Sequence, residues 1–329
     1  MKKALTITLA VIGIGFISYK SGPHPTPPNL EKVYQFELPS DLTALEAFVQ
    51  ERESQVPGIK ADNEGQFVWA DSIKTVTPYS LVYIHGFSAS HEEGAPVHEN
   101  LAKRYGANLY KARMDGHGID LGDETMINMN ADDYLASAVE ALAIGKKIGD
   151  RVILIGTSAG GALTAYLACK HPEIEAIVLY SPCIEIKDPS AALLDNPWGR
   201  ELAEMIQGKP FNDFEPKNET QPKYWATHYR LEGLVTLQNF MTHTMLPENF
   251  EKIKCPVFLG YYYEDEENQD QVVSVPAMLK MFDDLGSTNK QKMAFPTTKN
   301  HVLASWVLSE DWKTVETETA TFLDGIIKR

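Results

Sequence analysis

Apolar residues follow two rhythms along this chain. Continuously apolar runs at 81–84, 152–155, 174–180 and 256–263 predict strands buried on both faces, as strands of a parallel sheet are. Shorter runs at 67–70, 108–113 and 292–295 predict further strands. Between them the period changes to that of a helix. In 41–53, Leu42, Leu45, Phe48 and Val49 share a face, and after Asn130 the stripe is Tyr134, Leu135, Ala138, Val139 and Leu142, as far as Gly149. Helices are also expected at 92–105, 275–285 and 311–328. Strands alternating with helices predict an α/β fold with a mostly parallel central sheet flanked by helices.

From about 185 to 254 the alternation stops and large side chains dominate, among them Trp198, Met205, Phe211, Phe214, Tyr224, Trp225, Tyr229, Phe240 and Met241. An insertion of this size between two late strands reads as a helical cap over the strand C-termini, where open α/β sheets bind ligands. Some of its aromatics would line a pocket and most would form the cap's own small core.

The N-terminus follows neither rhythm. Lys2 and Lys3 precede an apolar run from Ala4 to Tyr19, the layout of a secretory signal peptide or a short membrane anchor, assigned to residues 1–22. No small-x-small cleavage site follows, which favours an uncleaved anchor. Membrane attachment through residues 4–19 is therefore expected, with Lys2 and Lys3 on the cytoplasmic side and the body outside, in a bacterial periplasm or cell envelope. Residues 23–40, opening with Pro23, Pro25, Pro27 and Pro28, read as a stiff linker, and 41–329 as the folded domain.

Net charge is −15, and without Lys2, Lys3 and Lys20 the rest carries 27 basic and 45 acidic residues, a net of −18. Such a body repels nucleic acid, and a neutral or weakly polar small molecule suits it better than a polyanion. Three cysteines in apolar contexts, Cys169, Cys183 and Cys255, read as buried small hydrophobes and make no disulfide framework. No Cys-x-x-Cys or paired-histidine spacing suggests a metal, and no Gly-x-Gly-x-x-Gly follows a strand, so no cofactor is expected.

The chemistry concentrates where the run Val152-Ile153-Leu154-Ile155 enters Gly156-Thr157-Ser158-Ala159-Gly160-Gly161. A buried strand, a sharp turn bearing one serine and a small-residue helix present a nucleophile, Ser158, at a helix N-terminus. Gly156 and Gly160 remove side chains that would collide there. A nucleophilic serine needs a base and a carboxylate that fixes the base's tautomer. In the order serine, acid, histidine the base is His301, the only histidine after His243. The acid belongs on the loop after 256–263. Asp265 is nearest the strand, but Asp270 precedes Val272 and Val273, two apolar residues able to anchor it, and is preferred. The loop His85-Gly86-Phe87-Ser88 reads either as a glycine turn with a packed histidine or as a source of an oxyanion N–H at Phe87. His117 precedes the nucleophile and reads as structural.

Three motifs in this order, His85-Gly86-Phe87, Arg113-Met114-Asp115-Gly116-His117-Gly118 and Gly156-Thr157-Ser158-Ala159-Gly160, resemble those of the α/β-hydrolase superfamily. The monoacylglycerol lipase and serine aminopeptidase-like branch is the most similar. The resemblance runs from about residue 79 to the C-terminus and implies an oxyanion hole from the N–H groups of Phe87 and Ala159. The expected activity is hydrolysis of a small carboxylic ester through an acyl-enzyme on Ser158. Cleavage of amides or peptides by the same fold, and a non-catalytic binding role, are the alternatives. Epoxide hydrolases and dehalogenases carry aspartate where this chain has Ser158.

Overall fold

The computed structural model describes residues 18–327. Its strands are β1 (Gln66–Val68), β2 (Thr77–Ile84), β3 (Asn108–Ala112), β4 (Gly149–Thr157), β5 (Ala176–Tyr180), β6 (Phe211–Asp213), β7 (His228–Arg230), β8 (Val257–Tyr261) and β9 (Lys290–Ala294). Seven form one sheet in the order β1-β3-β2-β4-β5-β8-β9, parallel throughout except that β1 runs antiparallel to β3. Chain order reverses at β2, which has β3 on one side and β4 on the other. In such sheets the crevice outside the strand C-termini at the reversal is the binding position. Ile84 pairs with Gly156, so the loops leaving β2 and β4 emerge side by side.

The longer helices are α1 (Leu42–Ser54), α2 (Val97–Tyr105), α3 (Ala131–Ile148), α4 (Ala159–Lys170), α5 (Gly199–Gln207), α6 (Leu231–Thr244), α7 (Val275–Asp284) and α8 (Trp312–Asp324). Val82, Ile84, Val152 and Leu154 face α3, α4, α6 and α7, while Leu81, Tyr83, Ile153 and Ile155 face α2 and α8. Both faces are covered, which is why these strands read as unbroken apolar runs. Each such side chain contributes roughly 1.5–3 kcal/mol on leaving water. Asp41 and Asn130 cap α1 and α3 by accepting the N–H groups of Ala44 and Asp133.

The helix expected at 92–105 is broken. A 3-10 turn, His91–Gly94, precedes Pro96, and α2 starts only at Val97. Proline lacks the N–H and keeps the preceding residue out of the helical region, so the helix cannot cross it.

The 185–254 insertion does lie over the strand ends, but it is not purely helical. β6 and β7 make a separate antiparallel pair beside α5 and α6. Nor does it keep all its aromatics for itself. Phe240 of α6 packs edge-on against Tyr134 of α3 and Tyr166 of α4, inside the main core. Residues 23–40 form neither helix nor strand, and they are fastened to the body rather than standing away from it. Pro23 O accepts the N–H of Trp198, Asn29 N–H donates to Asp132, and Leu30, Tyr34 and Leu38 pack on the core. Among the described residues no helix is long and apolar enough to cross a membrane, and the apolar run at 4–19 lies outside them except for Ser18 and Tyr19.

Candidate active site

β4 ends at Thr157 and α4 begins at Ala159, so Ser158 alone makes the turn. Its φ of 54° and ψ of −120° are strained for a residue with a side chain, at about 1–3 kcal/mol. Three hydrogen bonds hold it there. Its N–H donates to Tyr180 O at 2.9 Å, and its carbonyl accepts the N–H groups of Ala162 at 3.1 Å and Cys183 at 2.8 Å. The glycines are required by contact. A Cβ on Gly156 would meet Gly160 O at 2.4 Å, and one on Gly160 would meet Ile84 O at 2.0 Å.

Phe87 lies on the loop that leaves β2 beside this turn. Neither its N–H nor that of Ala159 donates to a protein group among the described residues, so both are free for an anion. His85 is structural. Its buried ring donates from Nδ1 to Gly86 O at 2.9 Å and accepts the N–H of Met114 on Nε2 at 3.0 Å. Burial, with His117 nearby, pushes its pKa well down and keeps it neutral.

Asp270 and His301 meet directly, with Nδ1 2.6 Å from Oδ2. The acidic tract folds back on itself, since Tyr263 bridges to Gln269 and Asp270 N–H donates to Tyr262 O. That return puts Asp270 beside the strand end and leaves Asp265 at the tip. Asp265 accepts from the N–H groups of Glu267 and Asn268 within its own turn. The remaining oxygen of Asp270 accepts Val272 N–H at 2.8 Å and Val273 N–H at 3.1 Å. Burial pushes the Asp270 carboxyl up, but His301 and these two N–H groups outweigh it and hold the pKa below the ordinary value. Burial likewise pushes His301 down, and the charge and hydrogen bond of Asp270, with a smaller contribution from Glu93, raise it overall. The pair thus keeps Nδ1 as the donor and leaves Nε2 able to accept a proton.

Ser158 and His301 line one cavity of about 360 Å³ under the cap, and no hydrogen bond joins them in this structure. Phe214, Trp225, Tyr229, Leu234 and Leu237 wall it from the cap side, and Phe87 and Cys183 from the sheet side. The geometry supports attack by a serine hydroxyl on a carbonyl whose oxygen turns toward two backbone donors.

A protein-family model described as serine aminopeptidase, S33, matches residues 78–302. The chain belongs to that family. Its fold and its standing as a hydrolase follow. A thermostable monoacylglycerol lipase from Bacillus sp. strain H-257 is 27% identical over 214 residues, 65% of this chain and 79% of that one. A structure from the LipS and LipT pair of metagenome-derived lipolytic enzymes superposes with a TM-score of 0.65 at 21% identity. It covers 82% of this chain and 99% of its own. A soluble variant of the Saccharomyces cerevisiae monoglyceride lipase, bound to a substrate analogue, superposes with a TM-score of 0.63 at 14% identity, covering 81% and 92%. Both show the same α/β-hydrolase fold.

Two charged residues of this family member's cavity escaped the sequence reading. Lys217 lies exposed at its edge on the cap, and Glu93 lies buried at its floor. Neither belongs to a spacing pattern. An acid in the first turn of the helix expected at 92–105 reads as a solvated residue unless its burial is known.

Proposed function

We propose that the protein hydrolyses carboxylic esters through an acyl-enzyme on Ser158, with His301 as the base, Asp270 as its orienting carboxylate and the N–H groups of Phe87 and Ala159 as the oxyanion hole. The observation that carries this reading is the Asp270–His301 pair, which faces the same cavity as a strained serine beside two unpartnered N–H groups. In the reaction His301 takes the Ser158 proton as Oγ adds to the ester carbonyl, then protonates the departing alkoxide. A water activated by the same histidine releases the acid. The mostly apolar cap walls suit an acyl chain, and the similarity to the Bacillus lipase supports monoacylglycerols or comparable small neutral esters as substrates. Turnover of an aryl-ester series of rising acyl length, set beside matching anilides, tests this. Esters are expected to turn over and the anilides not. Faster anilide cleavage across the series would move the reading to an amide-cleaving enzyme.

We also propose export with attachment through residues 4–19. Support comes from the basic-then-apolar order at the N-terminus and from where the described chain enters. Ser18 and Pro23 both contact Trp198, next to α5, whose Met205 and Ile206 are open to solvent. Extraction of the full chain from membranes by detergent but not by high salt or alkali is the expected result.

A further inference from the structure

Glu93 is an acid in surroundings that do not favour a charge. It is 2% exposed, and its Oε2 accepts the N–H of Gly86 and, at 3.3 Å, the hydroxyl of Tyr83. The same hydroxyl stands 3.0 Å from Thr157 Oγ1, one residue before the serine. One carboxyl therefore links the loop that carries Phe87 to the turn that carries Ser158. Its other oxygen has no protein partner among the described residues. A Cβ built on Gly86 would lie 2.7 Å from Glu93 Oε1 and 2.9 Å from Ser158 Cβ, so the carboxyl and the nucleophile face each other across a glycine. Glu93, Ser158 and His301 line the same cavity.

We propose that Glu93 is a positioning residue for the oxyanion loop that works in its neutral form: its carboxyl fixes the Gly86 peptide, and so the direction of the Phe87 N–H, while its ionisation sets a negative charge beside the forming oxyanion. This rests on the ester-hydrolase reading of Ser158. Two like charges held close in a dry site repel strongly, so an ionised Glu93 opposes the transition state that the backbone donors stabilise. Burial pushes the Glu93 pKa up to about 7, against the opposing pull of Gly86 N–H, His301 and Tyr83, so both forms are populated near neutrality. The titratable groups packed around it are Tyr83 on β2, Tyr134 on α3 and His301 after β9, with Asp270 and Lys217 acting on His301 in turn. On its own turn His91 is neutral, its pKa pushed down to about 4 by burial and by Lys111.

The signs follow. In the wild type, activity rises with pH as His301 loses its proton, then falls above about pH 7 as Glu93 ionises. Glu93→Gln keeps a side-chain oxygen for Gly86 N–H and cannot ionise. It removes the alkaline fall, and it moves the acid limb to lower pH because the charge that helped raise the His301 pKa is gone.

The experiment is kcat/KM for one aryl ester from about pH 5 to 9 for the full chain, for Glu93→Gln and for Ser158→Ala. The expected outcome is that Glu93→Gln holds its rate on the alkaline side while the wild type loses about threefold or more. Glu93→Ala, which leaves Gly86 N–H unpaired, is expected to lose about tenfold or more in kcat with little change in KM. Superposable pH profiles for wild type and Glu93→Gln, with Ser158→Ala inactive, overturn this inference alone. An active Ser158→Ala overturns the reading beneath it. If Glu93→Gln fails to fold, the unmodified protein decides by infrared spectroscopy. A neutral buried carboxylic acid band that disappears on raising the pH through about 7 supports the proposal, and its absence on the acid side overturns it.

Discussion

Two glycine-rich turns leave the sheet on either side of β2, one after β3 and one after β4, and each carries a residue type capable of chemistry. In the first, 113–118, Arg113 and His117 Nδ1 are taken up by neighbouring groups, and His117 Nε2 is left without a partner among the described residues, in a buried, closed setting. Arg113 donates to Glu53 at 2.5 and 3.1 Å and to His117 O at 3.2 Å, and His117 Nδ1 donates to Asp115 O at 2.7 Å. The imidazole packs among Phe87, His85 and Tyr134, and burial pushes its pKa down to about 4. In the second turn the backbone is equally constrained, but Ser158 faces the cavity with an oriented histidine on the far side. The difference is not in the glycines. A turn becomes a site when its rigid backbone leaves one polar side chain unspent and aims it at an open volume.

If that contrast holds, changes in the two turns should separate activity from stability. The largest effect is expected from Ser158→Ala, which removes the proposed nucleophile from a turn held by backbone contacts. kcat/KM should fall by several powers of ten with the thermal midpoint unchanged, read by ester turnover and calorimetry. Next, Asp270→Asn should lower kcat by roughly 10⁴, because the amide no longer fixes the base's tautomer. Asp265→Asn, at the tip of the same loop, should leave kcat unaltered. In the other turn the loss should be of stability. Glu53→Ala leaves the nearly buried Arg113 guanidinium without its carboxylate, which should cost about 3–5 kcal/mol in denaturant unfolding while the folded fraction keeps its kcat. The smallest effect is a pH shift. The His301 pKa lies above its ordinary value mainly because Asp270 offsets its burial. The wild-type acid limb should therefore lie above 6.5, and in Asp270→Asn the residual activity should persist to lower pH.

Much of this was legible because it is local. A run such as 152–155 declares a strand covered on both faces, and the glycines around Ser158 declare a turn whose clashes the structure displays atom by atom. The preference for Asp270 over Asp265 came from the valines after it. In the structure both valines hold Asp270 through their backbone N–H groups, and only Val273 is also an apolar anchor, buried in the core, while Val272 is largely exposed. The break at Pro96 was written in the sequence too, under a helical period that masked it. What stayed hidden depends on distant packing. Glu93 gains its character from burial between β2 and the cavity, and Phe240 belongs to the main core because α6 settles onto α3 and α4. The linker at 23–40 is fastened by Asp132 and Trp198, more than a hundred residues away, which no local period records.

Treatment of the full chain with a fluorophosphonate, followed by peptide mapping and residual ester turnover, tests the role of Ser158 most directly. One equivalent on Ser158, with activity lost in proportion, is the predicted result. Stoichiometric labelling of Ser158 with turnover intact, or loss of turnover with the label on another residue, would contradict it.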